Sequence, residues 1–171
     1  MEIRTLDSER ELERALRLTV DAWREAFAHV LSDDELDHVE HELRRDVSGT
    51  YAVLRDASEG MVLVADDGVV VGWTSVTWHP DRTREYTEDG EAEIRTLYVH
   101  PDRWHEGIGT ALLEAVLGRL PVSVERVVLE TFRENDLGRS FYASCGFTLR
   151  GTTEYEVAET SYPSVVLVRE R

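Results

Sequence analysis

Two glycines separated by one residue, Gly107-Ile108-Gly109, open a helix-like run directly after a strand-like run. Backbone N–H groups at the start of a helix have no partner inside the helix, and the helix dipole adds roughly half a positive charge there. Glycine lets an anion approach the backbone because no Cβ lies in the way. The chemistry that this turn favours is the binding of a phosphate or a similar anion.

Two common nucleotide-binding motifs do not fit this turn. A P-loop needs a lysine, and the chain contains none. The dinucleotide pattern G-x-G-x-x-G fails because its last position is Leu112, and because the turn comes late in the chain rather than in a leading βαβ unit. A dinucleotide oxidoreductase is therefore the weaker hypothesis, and a different phosphate-binding arrangement is favoured.

The charge of the chain argues against two other classes of partner. The 171 residues include 35 Asp and Glu against 19 basic residues, all of them arginine, for a net charge of −16. Nucleic acids and anionic membranes attract a basic face, so we predict that the protein binds neither. The absence of lysine together with excess carboxylate suggests a halophilic protein, suited to salt that screens charge repulsion.

Length and composition predict one globular domain over residues 1–171, with 42% hydrophobic residues and no apolar run long enough for a membrane span. The charged N-terminus lacks a secretory signal, so a cytoplasmic location is expected. The single cysteine, Cys145, excludes an intrachain disulfide and is predicted to pack in the core. His38 and His41 lack a matching Cys/His cluster, so they are predicted to lie at the surface, and no metal is expected.

The elements around the glycine turn are predicted in the order β-α-α-β-β-β-α-β-α-β-β. Strands are predicted at 2–6, 61–65, 69–78, 92–99, 126–132, 147–150 and 164–168, and helices at 9–27, from about 33, at 108–120 and at 135–144. Residues 51–54 are a candidate for a further brief strand, and residues 79–90 are predicted to be a polar loop. The helix at 108–120 joins two strands in a βαβ unit, so those strands should be parallel with a right-handed crossover. Hairpins elsewhere make this an α/β (or α+β) fold with a mixed sheet and helices on both faces.

Two motifs together resemble the GNAT superfamily of acetyl-CoA-dependent N-acetyltransferases. The family signature is a strand, a Pro-containing loop and Q/R-x-x-G-x-G/A at the start of the central helix, and Trp104–Gly109 occupies it here. A later helix of the family ends in Y-x-x-x-G-F, which Tyr142–Phe147 matches after Asn135. The motifs cover about residues 91–150, and the element order agrees over nearly the whole chain. The resemblance implies a GNAT-like, mostly antiparallel sheet around the central parallel βαβ unit.

The signature departs from the family pattern at its first positions. Trp104 stands where the family has Gln or Arg, and His105 and Glu106 follow where small or basic residues are common. Because pyrophosphate contacts in the family are mostly backbone N–H groups, these changes need not abolish binding. Glu106 would weaken binding unless it points into solvent. Arg103 or Arg139 could supply the missing positive charge.

The resemblance also implies acetyl-CoA as co-substrate, without a metal, and assigns its contacts. Pantetheine would hydrogen-bond to a splayed strand edge at 97–99, and residues 104–110 would cradle the pyrophosphate. Asn135 would add a side-chain amide, although an ordinary helix cap is the alternative for it. The expected cofactor-binding set is Leu97, Tyr98, Val99, Trp104, His105, Glu106, Gly107, Ile108, Gly109, Thr110, Asn135 and Arg139.

Acetyl transfer to an amine requires proton movements that side chains must perform. An alkylammonium has a pKa of about 10, so a base or a water relay must deprotonate it at neutral pH. Glu93 is the predicted base, with a solvated surface carboxylate as the alternative, and Glu91 and Tyr98 are lesser candidates. Tyr142 is implied as the donor of a proton to the departing thiolate, and a core tyrosine is its alternative.

We therefore predict an N-acetyltransferase that moves an acetyl group directly from acetyl-CoA to a primary amine of a small molecule or peptide. The alternative is a non-catalytic acyl-CoA-binding or regulatory module of the same fold, which the atypical Trp104 and Glu106 favour. The sequence leaves the acceptor open, because the acidic surface that suits polyamines, amino sugars or basic peptide N-termini also fits salt adaptation. It leaves the oligomeric state open too, homodimers included. The resemblance implies Trp23, Phe27, Trp73, Trp78 and the loop 79–90 as candidates for the acceptor pocket, and a core position is the alternative for Trp23 and Phe27.

Overall fold

The computed structural model describes residues 1–171 and contains one seven-stranded sheet with five α-helices. The strands are β1 (Glu2–Thr5), β2 (Gly60–Asp66), β3 (Val70–Thr77), β4 (Glu91–Val99), β5 (Arg126–Phe132), β6 (Thr148–Val157) and β7 (Thr160–Glu170). The helices are α1 (Glu9–Phe27), α2 (Asp33–Arg44), α3 (Val47–Arg55), α4 (Ile108–Arg119) and α5 (Asp136–Ser144). No helix is both long and apolar enough to span a membrane.

The sheet has the strand order β1-β2-β3-β4-β5-β7-β6. Only β4 and β5 pair in parallel, and α4 crosses between them, as the sequence predicts for a βαβ unit. The other five pairs are antiparallel. The predicted mixed, mostly antiparallel sheet is confirmed.

Helices cover both faces of the sheet because the strands alternate their apolar side chains. In β2, Leu63 and Ala65 belong to the core cluster that contains the apolar side of α4. Their neighbours Val62 and Val64 belong to a second cluster, built with residues of α1. This period of two places α1 and α4 on opposite faces of the sheet.

Close contacts on β3 fix both helices against the centre of the sheet. A Cβ at Gly72 would lie 3.2 Å from atoms of Ile108 and Leu112, so glycine allows α4 to approach β3 tightly. On the other face, the Trp73 indole donates a 2.8 Å hydrogen bond to the buried Thr19 hydroxyl of α1. These contacts hold the first turn of α4 beside the centre of the sheet.

The region after α2 differs from the sequence prediction. Residues 51–54 are not a strand but part of α3, whose N-cap Asp46 accepts a 2.9 Å hydrogen bond from the Gly49 N–H. Tyr51 and Leu54 pack on the cluster around α1, together with Val47 at helical spacing. A short apolar run fits the period of a strand as well as that of a helix. Residues 51–54 form a helix here because it packs its apolar side against α1.

The last two strands are longer than predicted. The predicted strands at 147–150 and 164–168 cover only part of β6 and β7. The two strands pair from Thr148 opposite Val168 to Val157 opposite Thr160. Polar side chains occupy much of the exposed part of this hairpin, so hydropathy does not reveal its length. The predicted loop 79–90 contains only one 3₁₀ turn, at Pro80–Arg82.

Candidate active site

Strands β4 and β5 separate in the middle of the sheet. They pair only from Glu91 opposite Arg126 to Glu93 opposite Val128. Beyond Glu93 a cavity of about 390 Å³ opens between the two strands, and the start of α4 and residues of α5 complete its wall. The edge of β4 at residues 97–99 therefore faces the cavity and can hydrogen-bond to a ligand, as the resemblance predicts, although the Val99 carbonyl already has a partner.

The first turn of α4 presents free N–H groups to this cavity. The N-cap Gly107 offers no side chain, and no oxygen of the protein accepts from the N–H groups of residues 108–110. Gly107 has a φ of +80°, and a Cβ there would find open space. The φ of His105 is also positive, at 66°. A turn of this kind with unpaired donors suits an anion.

The second glycine of the motif has a different physical reason from the first. A Cβ on Gly109 would lie 3.2 Å from the ring of Phe141 in α5. Gly109 is therefore needed for the close approach of α5 to α4, and the open space beside the backbone lies at Gly107. The sequence predicts the same role for both glycines, and the structure divides it.

The atypical start of the signature is explained by local contacts. The Trp104 indole donates a 2.8 Å hydrogen bond to the Val99 carbonyl, which fixes the loop to the end of β4. Arg103 lines the cavity, but its guanidinium pairs with Glu106 at 2.7 Å and with Asp67 at 3.1 Å. Glu106 does not line the cavity, so its charge is directed at Arg103 rather than at the anion site.

Asn135 is the N-cap of α5, which is the alternative to cofactor binding that the sequence leaves open. Its Oδ1 accepts from the Gly138 N–H at 2.9 Å, and its Nδ2 donates to the Thr131 hydroxyl at 2.9 Å. It lines the cavity nevertheless, and its amide retains a free N–H and a free lone pair. Arg139 does not line the cavity and donates to the Arg133 carbonyl at 2.8 Å.

The cavity thus brings together most of the residues predicted to bind the cofactor, and their binding role stays a prediction. Glu106 and Arg139 are the two that it does not include. Those that line it are Leu97, Tyr98, Val99, Trp104, His105, Gly107, Ile108, Gly109, Thr110 and Asn135.

The hydroxyl of Tyr142 is available on the α5 side of the same cavity. Its ring packs edge-on against Phe141 and Phe147, at centroid distances of 5.2 and 5.5 Å, so it is also part of the core packing. Burial raises the pKa of Tyr142, and the neighbouring Tyr98 and Cys145 add to the effect. The phenol therefore stays protonated at neutral pH, which is the state that a proton donor needs.

Glu93 lies in an adjoining chamber of about 70 Å³ rather than in the main cavity. Its side chain is only 1% exposed, which excludes the solvated alternative. Both of its oxygens are engaged: Tyr86 donates to Oε1 at 2.8 Å, and the Arg84 backbone N–H donates to Oε2 at 2.9 Å. The guanidinium of Arg95 adds an ion pair at 3.6 Å. The proposed catalytic role of Glu93 stays a prediction.

Glu130 of β5 is a second buried carboxylate, and it lines both the cavity and the chamber. Its side chain is 5% exposed; Oε2 pairs with the guanidinium of Arg84, while Oε1 has no hydrogen-bond partner. Burial raises the pKa of Glu130, and Arg84 offsets part of this shift. A free carboxylate oxygen with a raised pKa is suited to accept a proton.

Neither Glu130 nor Arg84 is predicted from the sequence. A signal for Glu130 exists, because it is the only acidic residue of β5 and directly follows three apolar residues. No comparable signal exists for Arg84, which lies in the polar loop and is placed 5.1 Å above the ring of Tyr155. Only the fold brings this loop against β4, β5 and β6.

The candidates for the acceptor pocket lie in three different places. Trp23 and Phe27 line the chamber, and Trp73 lines a third and larger cavity of about 660 Å³ beside it. Trp78 lines none of these cavities and packs on the core cluster around α4. No group of three or more His, Cys, Asp or Glu residues could hold a metal ion.

Comparisons with known proteins agree with this architecture. The PaiA N-acetyltransferase of Thermoplasma acidophilum, solved in complex with coenzyme A, is 21% identical with a TM-score of 0.74, over 99% of this chain and 98% of that one. The ribosomal-protein-alanine N-acetyltransferase of Brucella melitensis is 22% identical with a TM-score of 0.69, over 100% of both chains. By sequence, no curated protein matches. The model of the acetyltransferase (GNAT) family matches residues 13–147, most of the sequence, and the chain therefore belongs to this family of acyltransferases, as its motifs predict.

Proposed function

We propose that the protein transfers an acetyl group from acetyl-CoA directly to a primary amine. One observation carries this proposal: a single cavity combines an unpaired helix N-terminus, an open strand edge, a phenol and a buried carboxylate oxygen. The first two groups can bind the cofactor, and the last two can move protons. A site for binding alone has no need of the second pair.

The cavity fits coenzyme A in charge and shape. The free N–H groups of residues 108–110 and the positive end of the α4 dipole would hold the pyrophosphate. The edge of β4 at residues 97–99 would hydrogen-bond to the pantetheine amides. When bound, acetyl-CoA supplies an acetyl group activated as a thioester. The coenzyme A in the Thermoplasma neighbour supports this assignment.

Glu130 would accept the proton that the acceptor must lose. The amine enters as an ammonium ion, and Oε1 of Glu130 is the carboxylate oxygen without a partner at the junction of the cavity and the chamber. Burial raises the pKa of Glu130 and narrows its difference from the pKa of the amine, which favours proton transfer. Arg84 holds the other oxygen and so orients the carboxylate.

Tyr142 would complete the reaction on the leaving-group side. The amine nitrogen would form a bond to the carbonyl carbon while the carbon–sulfur bond breaks, and Tyr142 would donate its proton to the sulfur. The nitrogen would release its second proton to solvent as the amide forms. Its phenolate is then reprotonated from solvent. No bond between the enzyme and the acetyl group is needed. The acceptor class is supported by the Brucella neighbour, whose name describes acetylation of an alanine.

Two measurements on the purified protein test the proposal. Acetyl-CoA at a hundred times its dissociation constant should stabilise the protein by about 2.7 kcal/mol and raise the melting temperature, whereas NAD should not. Free thiol should then be released from acetyl-CoA in the presence of some primary amine. An unchanged melting curve in millimolar acetyl-CoA would refute cofactor binding. A raised melting temperature without thiol release over a broad amine panel would favour the non-catalytic binding module instead.

A further inference from the structure

A groove of about 660 Å³ adjoins the chamber that holds Glu93 and Glu130. It shares Trp23, Arg84 and Tyr155 with the chamber, and the chamber shares Glu130 and Tyr98 with the cofactor cavity. The three spaces therefore adjoin one another, and Tyr98 lines all three. An acceptor whose amine lies at Glu130 would extend the rest of its structure into the groove.

The walls of the groove are mainly apolar. They come from the helices α2 and α3 and from β2 and β3, and include Val39, Leu43, Leu54, Met61, Trp73 and Val76. Its charged residues other than arginine are His38, Glu42 and Glu156, which are all exposed, and Glu42 is already paired with Arg45 at 3.2 Å. The groove thus suits an apolar group rather than a chain of cationic amines.

Three arginines line the groove, and they differ in whether they already have a partner. Arg82, Arg84 and Arg95 line the groove, and the two carboxylates that face them are Glu93 and Glu130. Arg84 and Arg95 pair with these carboxylates, whereas the Arg82 guanidinium has no ion pair and no hydrogen bond. Arg82 is therefore the one arginine of the groove that is free to pair with an anion, and the exposed Glu156 is the unpaired carboxylate that lines the same groove.

A buried hydrogen-bond donor lines the same groove. The indole N–H of Trp23 makes no hydrogen bond of normal geometry, and the Tyr98 hydroxyl is a polar group close to it. Trp23 is only 8% exposed and lines both the chamber and the groove. A buried donor without a partner is costly, and a ligand oxygen would satisfy it. The acceptor is therefore expected to carry an oxygen close to its amine.

We infer that the acceptor is an α-amino acid with a large apolar side chain. Its ammonium would lie at Oε1 of Glu130, its carboxylate would face the Trp23 indole and Arg82, and its side chain would fill the groove. This inference rests on the proposed function and adds the substrate class to it. It runs against the acidic composition, which taken alone favours cationic acceptors.

The test is a matched panel of amines at saturating acetyl-CoA, with thiol release as the readout. L-Phenylalanine should give a kcat/KM at least about tenfold above phenethylamine, which lacks the carboxylate, because a hydrogen-bonded charged group is lost. L-Phenylalanine should exceed L-serine by a similar factor, because serine leaves the groove empty. Phenethylamine or spermidine as the best acceptor would overturn the inference, and so would L-phenylalaninamide matching the free acid.

Arg82→Gln provides the matched variant, because this exposed side chain has no partner whose loss could unfold the protein. It should lower kcat/KM for L-phenylalanine about tenfold and leave that for phenethylamine unchanged. Arg10→Gln is the control, because Arg10 is also exposed and unpaired and lines none of the three cavities. Equal losses with both amines, or none with either, would contradict the role of Arg82.

Failure of this inference can be separated from failure of the proposed function. If acetyl-CoA raises the melting temperature and phenethylamine or spermidine is acetylated best, only the inferred substrate class is wrong. If acetyl-CoA leaves the melting curve unchanged, the proposed function itself fails. If acetyl-CoA binds but no amine of the panel reacts, the amino acid class is also rejected.

Discussion

The two ends of the proposed reaction path are built from the chain in different ways. The cofactor cavity takes most of its binding groups from two short continuous stretches, residues 94–110 and 135–142. The acceptor chamber takes between one and four side chains from each of five separate segments, which are α1, the loop 79–90, β4, β5 and β6. A site made from consecutive backbone groups can be recognised in a sequence, whereas a site made from scattered side chains exists only after folding.

The two ends also differ in how they provide positive charge. At the cofactor end, Arg103 is paired with two carboxylates, so the free donors are backbone N–H groups at the start of α4. At the acceptor end, arginine side chains supply the charge, and Arg82 remains unpaired. Backbone donors tolerate changes such as Trp104 in the signature, but side-chain donors are lost with a single substitution.

The largest effect is expected at the acceptor end. Glu130→Gln should lower kcat about 10²- to 10⁴-fold while the stabilisation by acetyl-CoA remains, because the variant loses the proton acceptor and its ion pair with Arg84 but no group predicted to bind the cofactor. In the native enzyme, kcat/KM should fall as the pH decreases through the pKa of Glu130, which burial raises above that of an ordinary glutamate. Glu93→Gln is the matched comparison, since both oxygens of Glu93 are occupied. A greater loss of kcat in Glu93→Gln would identify Glu93 as the base.

At the cofactor end, Gly107→Asp should weaken acetyl-CoA binding by more than about a hundredfold. The variant places a side chain at a φ of +80° and a negative charge beside the pyrophosphate site. The control is Gly118→Asp in the same helix, where the glycine is exposed and a Cβ would meet no atom within 4 Å. Calorimetric affinities that remain equal for both variants would show that the pyrophosphate lies elsewhere.

Tyr142→Phe tests whether the two ends act in one reaction. Its kcat should fall about tenfold with an unchanged affinity for acetyl-CoA, because a thiolate with a pKa of about 8.5 needs only moderate help to leave. The ring packing against Phe141 and Phe147 is preserved in this variant. An unchanged kcat would leave Tyr142 as a core tyrosine only.

Glu91 tests how much a buried charge stabilises β4, the strand that lines both the cofactor cavity and the chamber. Burial by itself would raise its pKa, but hydrogen bonds from Arg150, the Glu88 backbone and Arg126 outweigh this and lower the pKa of Glu91 to about 2. The ion pairs therefore add stability above pH 4.5 that is lost as the pH falls toward 2, roughly 3 kcal/mol at most. Urea unfolding at pH 6 and pH 3 should show a smaller decrease for Glu91→Gln than for the native protein, and equal decreases would contradict this.

The smallest expected effect concerns the outer surface rather than either end of the path. With a net charge of −16, the melting temperature should rise by a few degrees from low salt to molar KCl, because salt screens repulsion between surface carboxylates. The buried carboxylates are paired with arginine and are therefore shielded from salt, so kcat should stay nearly constant over the same range of salt. Equal or greater stability in low salt would contradict salt adaptation.

Particular elements show why the fold was largely predictable. Alternating apolar residues fix which face of β2 meets α4, and Ser32 with Glu35 forms the capping box that starts α2 where the sequence predicts. These signals lie within a few residues of one another. Residues 51–54 are the exception, because their contacts with α1 cannot be seen in the local pattern.

The sequence by itself determined the family, the strand order along the chain and the anion-binding turn, because each depends on neighbouring residues. Only the tertiary structure decided which carboxylate keeps a free oxygen. Glu93 and Glu130 are both buried glutamates in strands. Tyr86 and Arg84, from a distant loop, bind both oxygens of Glu93, whereas Arg84 binds only one oxygen of Glu130 and leaves the other free. Hydrogen bonds between segments that are distant in the chain leave no local sequence pattern. They determine which carboxylate oxygen stays free, and the chemistry proposed for this site depends on that oxygen.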